Sequence, residues 1–524
     1  MKYLIYIIVF ISAQLSAQTY NWEWYQTIAS KESDQISGTS IAFDSYNNIY
    51  CTGYTGDTAF TDTYMIDYNG ANSAFLVKYD ENGNYIWSRT FGGVNDEITG
   101  CIEIDDKDNI YVTGLASGLV TFDGINFENI AGCNGAYIVK FDIDGNYLWH
   151  TIAGSGNGRG HSLDSDDNNI YYAGTTGYSV STFESQPLIT GKSSSILAKY
   201  NNQNSFQWMR QIRGLAVPSI SYDNNYIYLI GFASYGYNII YGIDTLIPDD
   251  NNQVFIFKFD NSGNLIWHKR GYGSFNSAFL KSNNNHFYIY GSLQDSLMFA
   301  PNYTIVSEGP YNGFIASFDT NGNVEWVYVA KSDYSFISYV DFDSQDNIWV
   351  TGNYKQYLDI GQLSIIGDSY SRSIIFQIAE NGIVNNSNYF ELITPNCQAW
   401  FNNVSLDNNN NFICNGTFSD CFNGGPYYSD TIGLWDLFLM KLSILTENNE
   451  LQISKSIIVY PNPTTGKITI QAEGIERIEI LNIEGRQVFT GKETEIDLSQ
   501  EAKGIYIIKV TTDKGVFVGK VVLE

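Results

Sequence analysis

The chain has 524 residues, 15% of them aromatic, and its 56 acidic residues outnumber 28 basic ones for a formal net charge of −28. That length is ample for a large buried core. The acidic balance excludes nucleic acid and anionic membranes as partners, because phosphate binding needs clustered Lys and Arg. Most of the excess is Asp in turns, where a solvated carboxylate is the ordinary reading.

The first element is a leader. Met1-Lys2-Tyr3 precedes the apolar run Leu4 to Ile11, and a stretch from Ser12 ends in small residues at Ala17. One basic residue, a short apolar run and small residues describe a signal peptide, so cleavage between Ala17 and Gln18 is expected. The mature protein is then expected to lie outside the cytoplasm. No later stretch is apolar for long enough to form a transmembrane segment.

From there a unit of about 60 residues recurs seven times, marked by Gly53, Gly114, Gly174, Gly231, Gly291, Gly352 and Gly416 at the end of its second strand. In unit one Ser40 to Asp44 alternates apolar and polar residues, Ser45 to Asn47 turn, and Asn48 to Gly53 form the second strand. Ala74 to Asp80 follow as a third, then the turn Glu81-Asn82-Gly83 and a fourth strand opening Asn84-Tyr85-Ile86-Trp87. Alternating β-formers bounded by Asn, Asp and Gly are hairpin chemistry; the strands are named A to D in order. Later D strands carry Trp149, Trp208, Trp267 and Trp326, with Tyr389 and Phe390 standing in for Trp in unit six. Four-stranded antiparallel units without helices predict an all-β fold, a seven-bladed β-propeller in preference to a solenoid. Unit seven stops at its C strand, Leu437 to Leu442, whereas Asn21 to Thr27 look like a D strand. The N-terminal strand is therefore expected to complete blade seven and close the ring, which removes exposed edges.

The segments D-x-x-x-N-[IF]-[YW]-x-x-G, as in Asp105 to Gly114, and K-[YF]-D-x-x-G-N-x-x-W, as in Lys140 to Trp149, resemble SBBP-type propeller repeats of secreted bacterial proteins. The resemblance spans roughly residues 19–445, and the propeller domain is expected over residues 18–445. It implies a fold and says almost nothing of activity, since propellers host many functions.

Strand directions place the tight A–B and C–D turns on one face, and the D–A connections with the longer B–C loops on the other. Stretches such as Phe122-Asp123-Gly124-Ile125-Asn126-Phe127 read mainly as structural hairpins. Their Tyr, Asn, Asp and Gly also suit polar recognition, which makes this the preferred face for an unknown extracellular protein or glycan. The six cysteines, Cys51, Cys101, Cys133, Cys397, Cys414 and Cys421, all read as lying toward that face. Two readings stand for them, disulfides stapling loops and unpaired thiols.

No cofactor is expected. Calcium is the one ion the C–D turns suggest, through Asp80, Asp142 and Asp260, and only Asp142-Ile143-Asp144 approaches the alternating carboxylates of a calcium loop. Asp and Gly also suit a tight turn without metal, the preferred reading. Catalytic residues are not assigned. The four histidines, His150, His161, His268 and His286, sit in no hydrolase motif. A carboxylate pair acting on polysaccharide is the alternative to a binding role.

Near residue 446 the composition shifts. Residues 446–454 read as a linker, and residues 455–524 carry short alternating strands and no Trp, which predicts a small immunoglobulin-like β-sandwich. Tyr460-Pro461-Asn462-Pro463, Gly466, the stretch Ile480 to Gly485, Gly504-x-Tyr506, Lys509 and Lys520 occur in order along it. This pattern resembles the type A C-terminal sorting domain of the type IX secretion system of Bacteroidota. The resemblance implies export to the periplasm, translocation across the outer membrane by the type IX machinery, and release or attachment to surface lipopolysaccharide after the domain is removed.

Overall fold

In the computed structural model the described residues are 19–30, 36–445 and 458–523, apart from 57, 61–64, 67–71, 94, 123–124, 129–133, 153–157, 178–181, 191–193, 234–237, 243, 247–252, 301–302, 393–397, 420, 425–426, 431–435, 461, 472–473, 483–485 and 513–514. The signal-peptide and linker expectations therefore fall outside them. The chain divides into two units, Met1–Ile444 and Leu445–Glu524.

Strand pairing resolves the first unit into seven four-stranded antiparallel meanders. Blade one is Ile36–Phe43, Ile49–Thr55, Ser73–Tyr79 and Tyr85–Gly93, each strand paired with the next. Blade seven is made from both ends. Its strands Gln398–Leu406, Phe412–Ser419 and Asp436–Leu445 are followed in the same sheet by Thr19–Ser30. The long strand Leu265–Asn283 serves as D of blade four and A of blade five, so those two blades share a continuous sheet. The core is seven apolar clusters, one at each blade junction. At the closing junction Trp24, Ile28, Leu437 and Leu439 of blade seven pack on Ile49, Phe75 and Val77 of blade one.

The repeat motif is the list of parts that join one blade to the next. In the A–B turn the first Asp folds the turn on itself: Asp44 Oδ1 accepts from the backbone N–H of Tyr46 and Asn48, at 3.0 and 2.9 Å. The motif Tyr then donates to the same carboxylate, Tyr50 to Asp44 at 2.9 Å and Tyr111 to Asp105 at 3.0 Å. The C-strand Lys crosses to the next blade's C–D turn. Lys78 donates to Ile143 O at 3.0 Å, Lys140 to Asn202 O at 2.7 Å and Lys258 to Thr320 O at 2.9 Å. Trp208 and Trp267 on D strands reach the corresponding carbonyls of Asn261 and Thr320, both at 3.2 Å. The closing junction uses the same bonds: Lys441 and Trp24 both donate to Glu81 O, at 3.2 and 3.1 Å.

The two glycines of the motif have different causes. Opposite the second-strand glycine the A strand bulges, as between Ile337 and Tyr339, and a Cβ on Gly352 would meet Phe336 O at 2.5 Å. The strand does not end there, as the sequence reading had it; Ile49–Thr55 runs two residues past Gly53 because the bulge is local. The C–D glycine has a left-handed backbone (φ 76° at Gly145), and its open side lies on the preceding blade's Trp87, 2.9 Å from a built Cβ. Gly145→Ala therefore combines backbone strain with overlap on Trp87. It is expected to cost about 1–3 kcal/mol, seen as a lower thermal midpoint, while Asn82→Ala at an exposed turn position changes it little.

The B–C loops carry hairpins, and these are clasps. The hairpin Leu119–Phe122 with Ile125–Glu128, from blade two, adds two strands to D of blade one through pairs such as Thr121 with Gly92. Ala59–Phe60 extends D of blade seven, and Ile239–Tyr241 extends D of blade three. Each blade so equipped grips the outer strand of its predecessor, which is the structural role read for these loops.

The second unit is two sheets. Ile458–Tyr460, Lys467–Gln471 and Glu495–Asp497 form one; Gln487–Gly491, Ile475–Asn482, Gly504–Thr512 and Gly515–Leu523 form the other. Alternate residues, among them Ile468, Ile478, Ile480, Ile508 and Val510, meet in a buried layer between them.

Candidate functional site: the central channel

The A strands of all seven blades line one cavity of about 500 Å³. Two positions of each A strand set its chemistry. The bulge residues Thr39, Gly100, His161, Ser338 and Asn402 lie along it, and blade four has two there, Val217 and Pro218. Two residues before the A–B turn Asp, or the Asn283 that replaces it, a second ring reads Ala42, Glu103, Asp164, Ser221, Lys281, Asp341 and Ser405. Among the described residues, Glu103, Asp164 and Asp341 thus share the cavity's surroundings with one ammonium, Lys281.

Two of these carboxylates are held by the next blade. Asp164 accepts from Tyr222 N at 2.7 Å and Ser221 Oγ at 3.1 Å; Asp341 accepts from Ser405 Oγ at 2.7 Å and Leu406 N at 2.9 Å. Glu103 receives one such bond, from Ser165 Oγ at 2.7 Å. Burial, with the Asp164 charge next, pushes the Glu103 carboxyl up to about 8. Attraction to the Tyr339 oxygen and to Asp341, Asp164 and Glu103 outweighs burial and holds the Lys281 ammonium well above its ordinary value. Burial and then Arg159 push His161 down to about 4, so it lines the cavity as a neutral ring.

A second buried acid lies apart from this ring. Glu97 is fully buried and accepts from Gly93 N at 2.7 Å and Ser117 N at 3.3 Å, yet burial still pushes it up to about 7. Carboxyls raised in the folded state bind more protons folded than unfolded, so their contribution is lost as pH rises toward 7 and 8. His161 acts oppositely, but only below 6.5. Raising the pH from 6.5 to 8 should therefore lower the thermal midpoint, by on the order of 1–2 kcal/mol in stability. Glu97→Gln and Glu103→Gln should each flatten that slope.

For three of the cysteines the unpaired reading holds, and the expected placement toward the long-loop face is corrected. Cys51, Cys101 and Cys414 are free thiols. Cys51 and Cys414 are mid-strand residues buried in blade junctions, Cys51 accepting from Asn415 Nδ2 at 3.8 Å, and Cys101 lines the channel. A position two residues before the motif glycine is inside the blade, not at its loop face. Burial pushes the Cys51 and Cys101 thiols up to about 12, away from the reactive thiolate. The side chains of Cys133, Cys397 and Cys421 lie outside the described residues.

The calcium suggestion meets turns that use their own donors. Asp142 Oδ1 accepts from Asp144 N and Asn146 N, and Oδ2 from Asn146 Nδ2 at 2.9 Å. Among the described residues no cluster of three His, Cys, Asp or Glu is arranged for a metal. The histidines are dispersed: His150 bonds Tyr147, His161 bonds Thr175, and His286 pairs with Glu325 at 3.5 Å.

Three of the described sorting-motif residues hold the sandwich together. Asn462 Oδ1 accepts from Val522 N at 2.9 Å, Tyr506 is buried with its hydroxyl on Ala502 O at 2.5 Å, and Gly466 packs on Ser499. Gly504 has φ 153° and Lys509 lies 3.8 Å from Glu479. Tyr460 and Pro463 are exposed, while Pro461, Gly485 and the Lys520 side chain fall outside the described residues, as do Ala17 and Gln18.

The family model of the secretion system C-terminal sorting domain matches residues 458–524, and that of the SBBP beta-propeller repeat matches residues 28–60. An uncharacterized WD repeat-containing protein of Acanthamoeba polyphaga mimivirus is 31% identical over 127 residues, covering 21% of this chain. The chain spans only 9% of that relative's length. Among solved structures, the phage phi92 endosialidase aligns over 97% of this chain and 87% of its own at 9% identity, with a TM-score of 0.36. A DUF4221-family protein of Bacteroides vulgatus aligns over 82% of this chain and 99% of its own at 8% identity, with a TM-score of 0.32. At these scores neither carries an argument. The chain joins SBBP propeller repeats to a type IX secretion system C-terminal sorting domain, and that domain marks it for secretion or attachment at the cell surface.

Proposed function

We propose that this chain is a non-enzymatic binding module, exported through its sorting domain, that takes an extracellular glycan or protein in the central channel, whose lining runs from the A-strand bulges to the A–B turns and not to the long-loop face preferred from the sequence. The observation that supports this most is the channel itself, about 500 Å³, a size within the range of ligand sites, with polar side chains from every blade along it. Export in this reading begins with cleavage after Ala17 and ends with release or attachment to surface lipopolysaccharide.

One observation favours a second reading, a polysaccharide hydrolase or lyase. Glu103, raised to about 8 beside Asp164, has the protonation of a general acid. Incubating the mature protein with a glycan panel, read on arrays for binding and by reducing ends for turnover, separates the two. Binding without turnover is expected. Turnover that disappears in Glu103→Gln would establish the enzyme instead.

A further inference from the structure

We propose that the central channel is a subsite for a neutral, hydroxyl-rich ring, a saccharide of one or two residues, held between the aromatic wall of blades five and six and the polar groups of Lys281, Glu103 and Asn403. This rests on the binding reading above and names the ligand chemistry of that site.

The first ground is unused hydrogen-bonding capacity. Asn403 is 4% exposed and lines the cavity, and its Oδ1 has no partner. Among the described residues the Lys281 ammonium has no hydrogen bond; around it lie the carboxyls of Asp341, Asp164 and Glu103 and the Tyr339 ring, 5.8 Å away. Tyr290 and Tyr339 also line the cavity, and Glu103 spends one oxygen on Ser165. Buried polar groups are ordinarily satisfied, so the buried Asn403 Oδ1, with the polar groups of Lys281, Glu103, Tyr290 and Tyr339 along the same cavity, suits a ligand that both donates and accepts.

The second ground is shape. Phe279, Tyr290 and Tyr339 form a continuous aromatic wall, with ring centroids 5.8 and 6.4 Å apart. Aromatic faces are electron-rich and attract C–H edges, such as the apolar face of a pyranose. At the rim Val217 is 47% exposed with a left-handed backbone (φ 49°). A β-branched residue held there is strain of the kind that collects at binding sites.

The third ground is charge. An anionic ligand reaching Lys281 would meet Asp164 and Asp341, and a cationic ligand reaching those carboxylates would meet Lys281. Asp164 and Asp341 are already occupied by donors of the next blade. A neutral polyol meets neither repulsion.

The test uses the mature full-length protein and isothermal titration with the methyl glycosides of glucose, galactose, mannose and N-acetylglucosamine, with cellobiose, maltose and lactose beside them. At least one is expected to bind. Lys281→Met should weaken it about tenfold, and Tyr339→Phe, which keeps the ring and the fold, about threefold. Ile366→Ser, at an outer position 89% exposed, should leave it unchanged. No binding by any of these sugars to the folded protein overturns the proposal. So does binding that Lys281→Met and Tyr339→Phe, confirmed folded, leave intact. Macromolecular array binding that survives either result keeps the broader function, whereas turnover removes it.

Discussion

A chain lacking residues 19–30 is expected not to yield a folded propeller. Those residues are the outer strand of blade seven, and Trp24 and Ile28 within it are 9% and 1% exposed. Without them the Asp436–Leu445 strand loses its backbone partner, and Leu437 and Leu439 lose their cover from the same strand. Blade one also loses the Trp24 and Gln26 bonds to Glu81 O and Gly83 O, both 3.1 Å. Two large apolar side chains at about 1.5–3 kcal/mol each, with the ladder bonds added, approach the whole stability of a typical domain, about 5–15 kcal/mol. Aggregation on expression, or loss of the β-sheet circular dichroism melt, is the expected readout. Trp24→Ala is the graded version and should cost about 3–5 kcal/mol. A truncated chain that melts like the full one would show that blade seven does not need its fourth strand.

Removing residues 458–524 should abolish appearance of the protein at the cell surface and in the medium. These residues match the sorting domain along their length and close on a core of their own, so the deletion leaves the propeller intact. Fractionation and immunoblotting should find the truncated protein inside the envelope, and its thermal melt, purified, should match that of the propeller in the full chain. Normal secretion without the tail would overturn the export route. Within the tail, exposed Tyr460 and Lys509 are better placed to meet the machinery than Asn462, Gly466 and Tyr506, which the sandwich uses for its own packing.

The propeller's joints are readable from sequence because each is local and repeated. Asp44 with Asn48, Gly83 with Asn84, and Lys78 one residue before Tyr79 recur at fixed offsets, and every one proves to be a turn lock or an interblade bond. The missing D strand of unit seven pointed to Asn21–Thr27 for the same reason. The channel is different. Its ring position holds Ala42, Glu103, Asp164, Ser221, Lys281, Asp341 and Ser405, so it repeats in place but not in residue type. Glu103 and Lys281 come together only when blades two and five face one cavity, a fact that no short motif carries. The charged position shows only when the seven A strands are aligned on their turn residues, and the long loops carry hairpins that hold neighbouring blades. The cysteines were misplaced through the same boundary error, since Cys51 and Cys414 precede a glycine inside the strand.

The central channel is enclosed by a closed ring, and the ring closes where the N-terminal strand completes blade seven. Glu23 and Ser443 mark that seam, with Ser443 Oγ donating to Glu23 Oε1 at 2.6 Å. Installing Glu23→Cys with Ser443→Cys and digesting the oxidised mature protein for mass spectrometry tests it directly. The closed ring predicts a disulfide-linked peptide pair from residues near 23 and 443, formed without loss of the native melt. Free thiols at both positions in the folded, oxidised protein would contradict it.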